Sequence, residues 1–460
     1  MIRFNKSALR DKIYACWLGK NIGGTMGTPF EGTTELLDIQ GFNSPEGTAL
    51  PIDDLDLQLV WLRAMYEQGP KAINSKVLGE YWTNFIGPHW NEYGNCKANM
   101  RAGILPPLSG SLHNGDWKHS NGAWIRTEIW ACTYPGLPEK AIRYAFEDAS
   151  VDHGFGEGSY AAIFVAAMES AAFIINDLRT LIRIGLSKIP ADCRVARSVG
   201  IVLDAYDKGI DWNETREKIV EDSADLGWFE APANVAYVIL GLLYGEGDFE
   251  KTMEISTRCG QDSDCNPASA AGILGVMQGY SAIPEKYRKA AEKIADLPFP
   301  YTSLSLNETC VKNMQLLEQA LLSQGCEFGP EAVSFVVRKP EPVAWEQSFE
   351  GLVPVDKVVL KKRFNSSVVL EFTGNSIVVE GSVVKTGHSD EDYVARIAAL
   401  LDDEVVEVFA MPYDYIKRKY EIFSRYCFPS GQHRLELRLL NPHPDFEINA
   451  QEMVVYDAVK

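Results

Sequence analysis

A chain of 460 residues, 46% hydrophobic and 23% charged, is too long for one compact core and reads as two or three globular domains. Its net charge of −19 argues against a nucleic-acid groove or an anionic membrane surface as the main partner. Nine scattered cysteines with no CxxC pair argue against a disulfide scaffold or a zinc site and fit a reduced, cytoplasmic setting.

In chain order, Met1 to Lys6 lacks the basic-then-apolar pattern of a signal peptide and leads into a helical stripe of Leu9, Ile13, Trp17 and Leu18. Gly23, Gly24 and Gly27 continue that helix and allow close backbone approach. A second stripe is Leu57, Val60, Trp61 and Met65. The stretch from Gly87 to Gly122, rich in Gly, Asn, Trp and His, reads as a long loop of the kind that carries function. Tyr160 to Ile175 is interrupted by Glu169 and Ser170 and is too short for a bilayer span, so a buried helix is expected. Val195–Tyr206, Val235–Leu243 and Ala268–Tyr280 are also helical by spacing.

After Gly325 the texture changes. Val333–Val337, Val358–Leu360, Val368–Phe372, Ser376–Val379, Val394–Leu401, Val405–Phe409, Leu435–Leu439 and Met453–Tyr456 are short β-type runs between Gly, Asn, Asp and Pro turns. They predict an antiparallel sandwich of jelly-roll type. Lys339-Pro340-Glu341-Pro342-Val343 reads as a stiff connector. The expected organisation is an all-α orthogonal helical bundle over residues 1–328, followed by an all-β sandwich over 329–460.

Two aspartate clusters carry the chemistry. Ile52-Asp53-Asp54-Leu55-Asp56 and Gly260-Gln261-Asp262-Ser263-Asp264-Cys265 each open a helical stretch. If the fold joins them, several carboxylates share a small volume and call for a cation. Oxygen-only donors suit hard divalent ions such as Mg²⁺, Mn²⁺ or Ca²⁺, not zinc. Helix capping is the alternative for either cluster alone. Around them stand Glu31, on a loop after Gly27-Thr28-Pro29-Phe30, and Asp116 in Asn114-Gly115-Asp116-Trp117. His119-Ser120-Asn121-Gly122 offers backbone N–H groups to an anion or a sugar hydroxyl, or is an ordinary turn. His153 sits at a helix entrance, where a core histidine is the alternative reading. Ser269, Ala270, Gly272 and Gly275 permit close helix packing behind the second cluster.

The combined order of these motifs resembles the ADP-ribosylglycohydrolase family over about residues 8 to 325. It runs Pro-x-Glu, Asp-Asp, Ser-Asn-Gly-Ala-x-x-Arg (120–126), a helix-entry His, Ala-Pro-Ala-Asn-Val-Ala-Tyr (231–237) and Gly-x-Asp-x-Asp. The resemblance implies an all-α enzyme with one or two Mg²⁺ or Mn²⁺ ions that cleaves a glycosidic bond at ribose C1″ of an ADP-ribosyl group. It assigns Asp53, Asp54, Asp262 and Asp264 as metal ligands and Glu31 as a flexible glutamate. Ser120, Asn121, Gly122 and, beside them, His119 would line the substrate groove, with His153 facing the substrate. The family's Thr-Asp-Asp-Thr is here Ile52-Asp53-Asp54-Leu55, and its last Asp-Thr is Asp264-Cys265, so hydroxyl ligands are lost from both halves and Asp56 is a candidate substitute.

The expected mechanism passes through an oxocarbenium-like transition state, with Glu31 or Asp116 positioning the water. Two rival readings are a glycosidase for a non-nucleotide sugar, with Trp82, Trp90, Tyr93, Trp117, Trp124 and Trp130 as stacking surfaces or, equally, as core packing, and a catalytically inactive binder of carbohydrate or ADP-ribose. The expected partner is a small or protein-attached ADP-ribosyl or glycosyl substrate, with no nucleic acid or membrane. Oligomeric state is open.

Overall fold

Apolar spacing near 3.6 residues becomes α-helix through most of the first 322 residues of this computed structural model. It describes residues 2–42, 49, 52–89, 91–335, 352–413, 421–425 and 428–458. The expected connector at 339–343 lies outside these residues. Contacts divide the chain into two units. One comprises 1–81, 116–149 and 155–345; the other comprises 82–115, 150–154 and 346–460.

The first unit is built around helix Lys6–Gly27 running alongside helix Cys265–Gln278. Only small residues permit so close an approach. A β-carbon on Gly27 would lie 1.7 Å from the Ser263 carbonyl oxygen. Helices Glu157–Ala172 and Ala231–Gly245 are buried on nearly every side, as expected of helices that are apolar all round. Among the described residues, no helix is long and apolar enough to cross a membrane, and the eight described cysteines are free and buried.

A three-stranded antiparallel sheet belongs to this unit: β1 (Ile2–Asn5), β2 (Glu327–Phe328) and β3 (Ala332–Phe335), in order β1-β3-β2. The run beginning at Val333 therefore pairs with the chain start, through Phe4 opposite Val333, and is not a sandwich strand. Burial of Val333 and Phe335, the latter edge-on to Phe4, explains the partnership.

The second unit holds two four-stranded sheets. Their strands are β4 (Leu352–Phe364), β5 (Ser367–Gly374), β6 (Ser376–Lys385), β7 (Val394–Leu401), β8 (Glu404–Pro412), β9 (Glu421–Arg425), β10 (Gly431–Leu439) and β11 (Phe446–Ala458). The orders are β5-β10-β7-β8 and β4-β11-β6-β9, with antiparallel neighbours throughout. Alternate residues such as Val368, Leu370 and Phe372 of β5 meet Ile377, Val379 and Val383 of β6 in one shared core, as in a sandwich.

The stretch read as a loop from Gly87 contains helices Asn91–Arg101 and Leu108–Ser111. The first is buried although polar, which is why periodicity misses it. Lys97 Nζ donates to the Ile86 carbonyl at 2.6 Å, and Asn99 Nδ2 donates to the Ser109 and Leu112 carbonyls at 2.7 and 2.8 Å. Ala102 and Ile104 then pack with Val378 of β6 and Val454 and Tyr456 of β11.

Candidate metal centre

The second aspartate cluster is shaped by its backbone. Gly260 and Gln261 both take positive φ, and Gly260 lies where a β-carbon would meet the Thr33 and Glu35 carbonyls at 2.6 and 2.7 Å. The Gln261 N–H donates to Thr33 O at 2.6 Å and the Gly32 N–H donates to Gln261 O at 2.9 Å. This clip holds the Glu31 loop beside the turn. Asp262, Ser263 and Asp264 follow, entering helix Cys265–Gln278. Asp264 occupies the N-cap position, yet its side chain makes no capping hydrogen bond. Helix Asp53–Gln68 likewise has Ile52 as its cap, without a side-chain bond. Capping does not account for the second cluster, and the cap of the first helix is not an aspartate.

The helix starts converge. Carboxylate oxygens of Asp262 and Asp264 and Sγ of Cys265 all lie within 4.8 Å of one another. The Cys265 thiol donates to Asp54 Oδ1 at 3.6 Å, which brings the first cluster to the second. The Asp53 side chain is outside the described residues. Ile52 fills the space over Gly24, since a β-carbon there would meet Ile52 Cδ1 at 2.5 Å.

Asp262 Oδ2 accepts from Asn121 Nδ2 at 2.6 Å, and the Trp124 indole N–H donates to Asn121 Oδ1 at 2.9 Å, which fixes the amide orientation. The Asp262 N–H donates to Asn234 Oδ1 at 3.2 Å. Asn234 Oδ1 also accepts from Asn266 Nδ2 at 2.9 Å, and its Nδ2 donates to the Trp228 and Glu230 carbonyls, both at 2.9 Å. What remains is decisive for the chemistry: Asp262 Oδ1 and Asp264 Oδ1 are buried without a hydrogen-bond partner. Burial, then the charges of Asp264 and Asp54, push the Asp262 carboxyl well above the usual carboxylate range. Burial and the same carboxylates push the Cys265 thiol up. Inward-facing, unsatisfied oxygens in a group of like charges are what a divalent cation compensates, so the donor set fits a metal ion.

Behind the cage lies a buried cation that the motifs did not indicate. Lys20 Nζ is 2.9 Å from Glu128 Oε1 and 3.6 Å from Asp54 Oδ2. Burial alone would lower the Lys20 ammonium; the Glu128 and Asp54 charges more than reverse this and hold it above the ordinary lysine value. Glu128 also accepts from Gln58 Nε2 at 2.8 Å and from Ser269 Oγ at 3.4 Å. The lysine inside an otherwise apolar helix face was the sequence signal for this network.

The other expected site residues are placed as follows. Glu31 is exposed, at the end of the short 3₁₀ helix Thr28–Phe30, and Asp116 is exposed in the turn before Ser120. The Asp56 carboxylate accepts the Tyr301 N–H at 3.1 and 3.3 Å. His119 Nδ1 accepts the Glu157 N–H at 3.1 Å at the start of helix Glu157–Ala172. Ser120 bridges to Glu230, and the Asn121 N–H donates to Phe229 O at 3.1 Å. The Gly122 carbonyl accepts from Arg126, whose guanidinium also grips Asp148 at 3.0 Å. His153, in the second unit, is fully buried with Nδ1 2.9 Å from Asp152 Oδ1, and Glu92 lies within the same group. Trp82, Trp124 and Trp130 are fully buried and Tyr93 nearly so, which removes them as exposed stacking surfaces: the first unit needs Trp124 and Trp130 as core and as donors to Asn121 and Asp148. Trp117 is half-buried, and Trp90 lies outside the described residues.

Comparison with known proteins identifies the family. The profile of the ADP-ribosylglycohydrolase family matches residues 5–318, more than half of the chain. No curated protein matches in sequence. Among solved structures, an ADP-ribosylglycohydrolase-related protein complex aligns at 17% identity and a TM-score of 0.47, covering 68% of this chain and 99% of its own. The class is thus that of hydrolases acting on glycosidic bonds. Within it, the chain belongs to the ADP-ribosylglycohydrolase family.

Proposed function

We propose that the protein is a metal-dependent glycosyl hydrolase that cleaves an N- or O-glycosidic bond at ribose C1″ of an ADP-ribosyl group or a related glycosyl substrate. The observation that carries this is the pair of buried, unpartnered oxygens on Asp262 and Asp264, beside Asp54, in a chain of this family. Asp53, Asp54, Asp262 and Asp264 are the ligands, and Mg²⁺ or Mn²⁺ the ion, singly or as a pair. When bound, it would supply Lewis acidity and counter-charge at the sugar.

The chain's own residues do the rest. Asn121 holds Asp262 in one orientation, and Lys20 offsets Asp54 and Glu128, which keeps the carboxylates where the substrate's charge will develop. Glu31 or Asp116 positions the attacking water against the oxocarbenium-like centre; both are exposed. His119, Ser120, Asn121 and Gly122 are assigned to the sugar, and Asp56 to support of the ligand helix. Catalysis is assigned to residues 1–328 and an ancillary role to the β-sandwich.

The test is sugar release from ADP-ribosylated peptides and from aryl glycosides, with and without EDTA. Release from the peptides that stops with chelator and in Asp262→Ala is expected. Turnover indifferent to both would end the metal proposal, and turnover of simple glycosides alone would move the substrate to a non-nucleotide sugar.

A further inference from the structure

We propose that Cys265 changes the ion class of this cage. It would favour borderline, sulfur-accepting divalent cations such as Co²⁺ and Zn²⁺ at the expense of Mg²⁺. This rests on the metal reading and deepens it.

Three observations carry the inference. First, Sγ is no bystander. It lies with the Asp262 and Asp264 oxygens in one group no wider than 4.8 Å, and it reaches Asp54 Oδ1 at 3.6 Å, so it faces both halves of the cage. Second, Asp262 Oδ1 and Asp264 Oδ1 are buried and unpartnered next to it, so the group is built to receive something. Third, the hydroxyl that would restore an all-oxygen set is missing on the other side as well: Ile52 turns its side chain onto Gly24. The donors grouped here are the Asp262 and Asp264 carboxylates and one sulfur, with Asn121 engaged as a hydrogen-bond donor to Asp262. Mg²⁺ binds oxygen and dehydrates reluctantly, whereas thiolate donors suit softer ions. As the metal–sulfur bond forms, the S–H bond is lost and its proton leaves to solvent; no oxidant or reductant is involved.

The experiment uses the full chain stripped of metal and titrated with Co²⁺, read by absorption, alongside Mg²⁺ and Zn²⁺ affinities from chelator competition. The inference expects a near-ultraviolet thiolate-to-Co²⁺ charge-transfer band at saturation, lost in Cys265→Ser and Cys265→Thr. It also expects the Zn²⁺-to-Mg²⁺ affinity ratio to fall by about tenfold or more in those variants, as exchange of a soft for a hard donor implies. Asp262→Asn, which leaves the thiol in place, should lose the band too. Wild-type protein that binds Co²⁺ without the band, or variants with an unchanged ratio, would overturn the inference while sparing the metal reading. Failure to bind any of the three ions would overturn both. The wild-type spectrum decides even if a variant fails to fold.

Discussion

Replacement of Gly27 by alanine tests whether the close helix contact builds the cage. Two effects compete. Alanine in a helix is favoured over glycine by about 0.5–1 kcal/mol. Against this, the new β-carbon would stand 1.7 Å from Ser263 O, a separation that must double to reach the 3.4 Å where ordinary contact begins. The Ser263 carbonyl carbon and Asp264 Cα, at 2.3 and 2.6 Å, obstruct the same path, and all three are backbone atoms that no rotamer change can move. Overpacking of this kind costs about 1–3 kcal/mol and sometimes more. The clash, at the upper end of that range because backbone faces the new atom, therefore wins, and Gly27→Ala should be net destabilising by about 1–2 kcal/mol, with the Asp262–Asp264 turn displaced. Gly200, in helix Arg194–Asp207, has nothing within 4 Å of its hypothetical β-carbon, so Gly200→Ala should stabilise by about 0.5–1 kcal/mol. Urea unfolding followed by circular dichroism measures both. A Gly27→Ala midpoint equal to or above that of Gly200→Ala would refute the argument.

Three further outcomes are expected. Lys20→Met leaves Glu128 buried without its ammonium and should destabilise by about 3–5 kcal/mol; a loss under about 1 kcal/mol in urea unfolding would show the network to be replaceable. Asn234→Ala removes four hydrogen bonds around the Asp262 turn and should lower stability by about 2–4 kcal/mol, with a matching drop in ion affinity by calorimetry; unchanged affinity would separate Asn234 from the cage. Glu169 is held well above the usual carboxylate range, chiefly by burial and then by the Glu128 charge. Its folded form thus keeps a proton that the unfolded chain releases above about pH 4.3, so its contribution is full below that pH and is lost as pH rises through the folded value. Unfolding midpoints of wild type should therefore fall over the rising pH range relative to Glu169→Gln; parallel profiles would contradict this.

The features legible in the sequence were those written in local periodicity. The Leu9 and Leu57 stripes, the buried helix around Phe164 and the alternation in Val368–Phe372 need only their own neighbours to be read. The aspartate clusters were conspicuous because like charges in short runs are costly unless something offsets them. Less visible were groups whose role exists only across the fold. Glu128 and Gln58 look like ordinary helix residues until Glu128 is found buried between Lys20 and Gln58 as their shared acceptor, and Asn234 acquires its task from a turn nearly thirty residues away. Helix Asn91–Arg101 escaped because its buried face is polar and is satisfied by distant carbonyls. The aromatic-rich stretch suggested sugar-stacking surfaces, but a large unit with many alanines and glycines uses its tryptophans to fill volume.

The most direct measurement is Mn²⁺ binding to the metal-stripped full chain by electron paramagnetic resonance, repeated on Asp262→Asn and Asp264→Asn with folding checked by circular dichroism. Stoichiometric binding by wild type, weakened by tenfold or more in both folded variants, is the predicted result. Equal binding by all three proteins, or none by wild type, would contradict a cation held by these two aspartates.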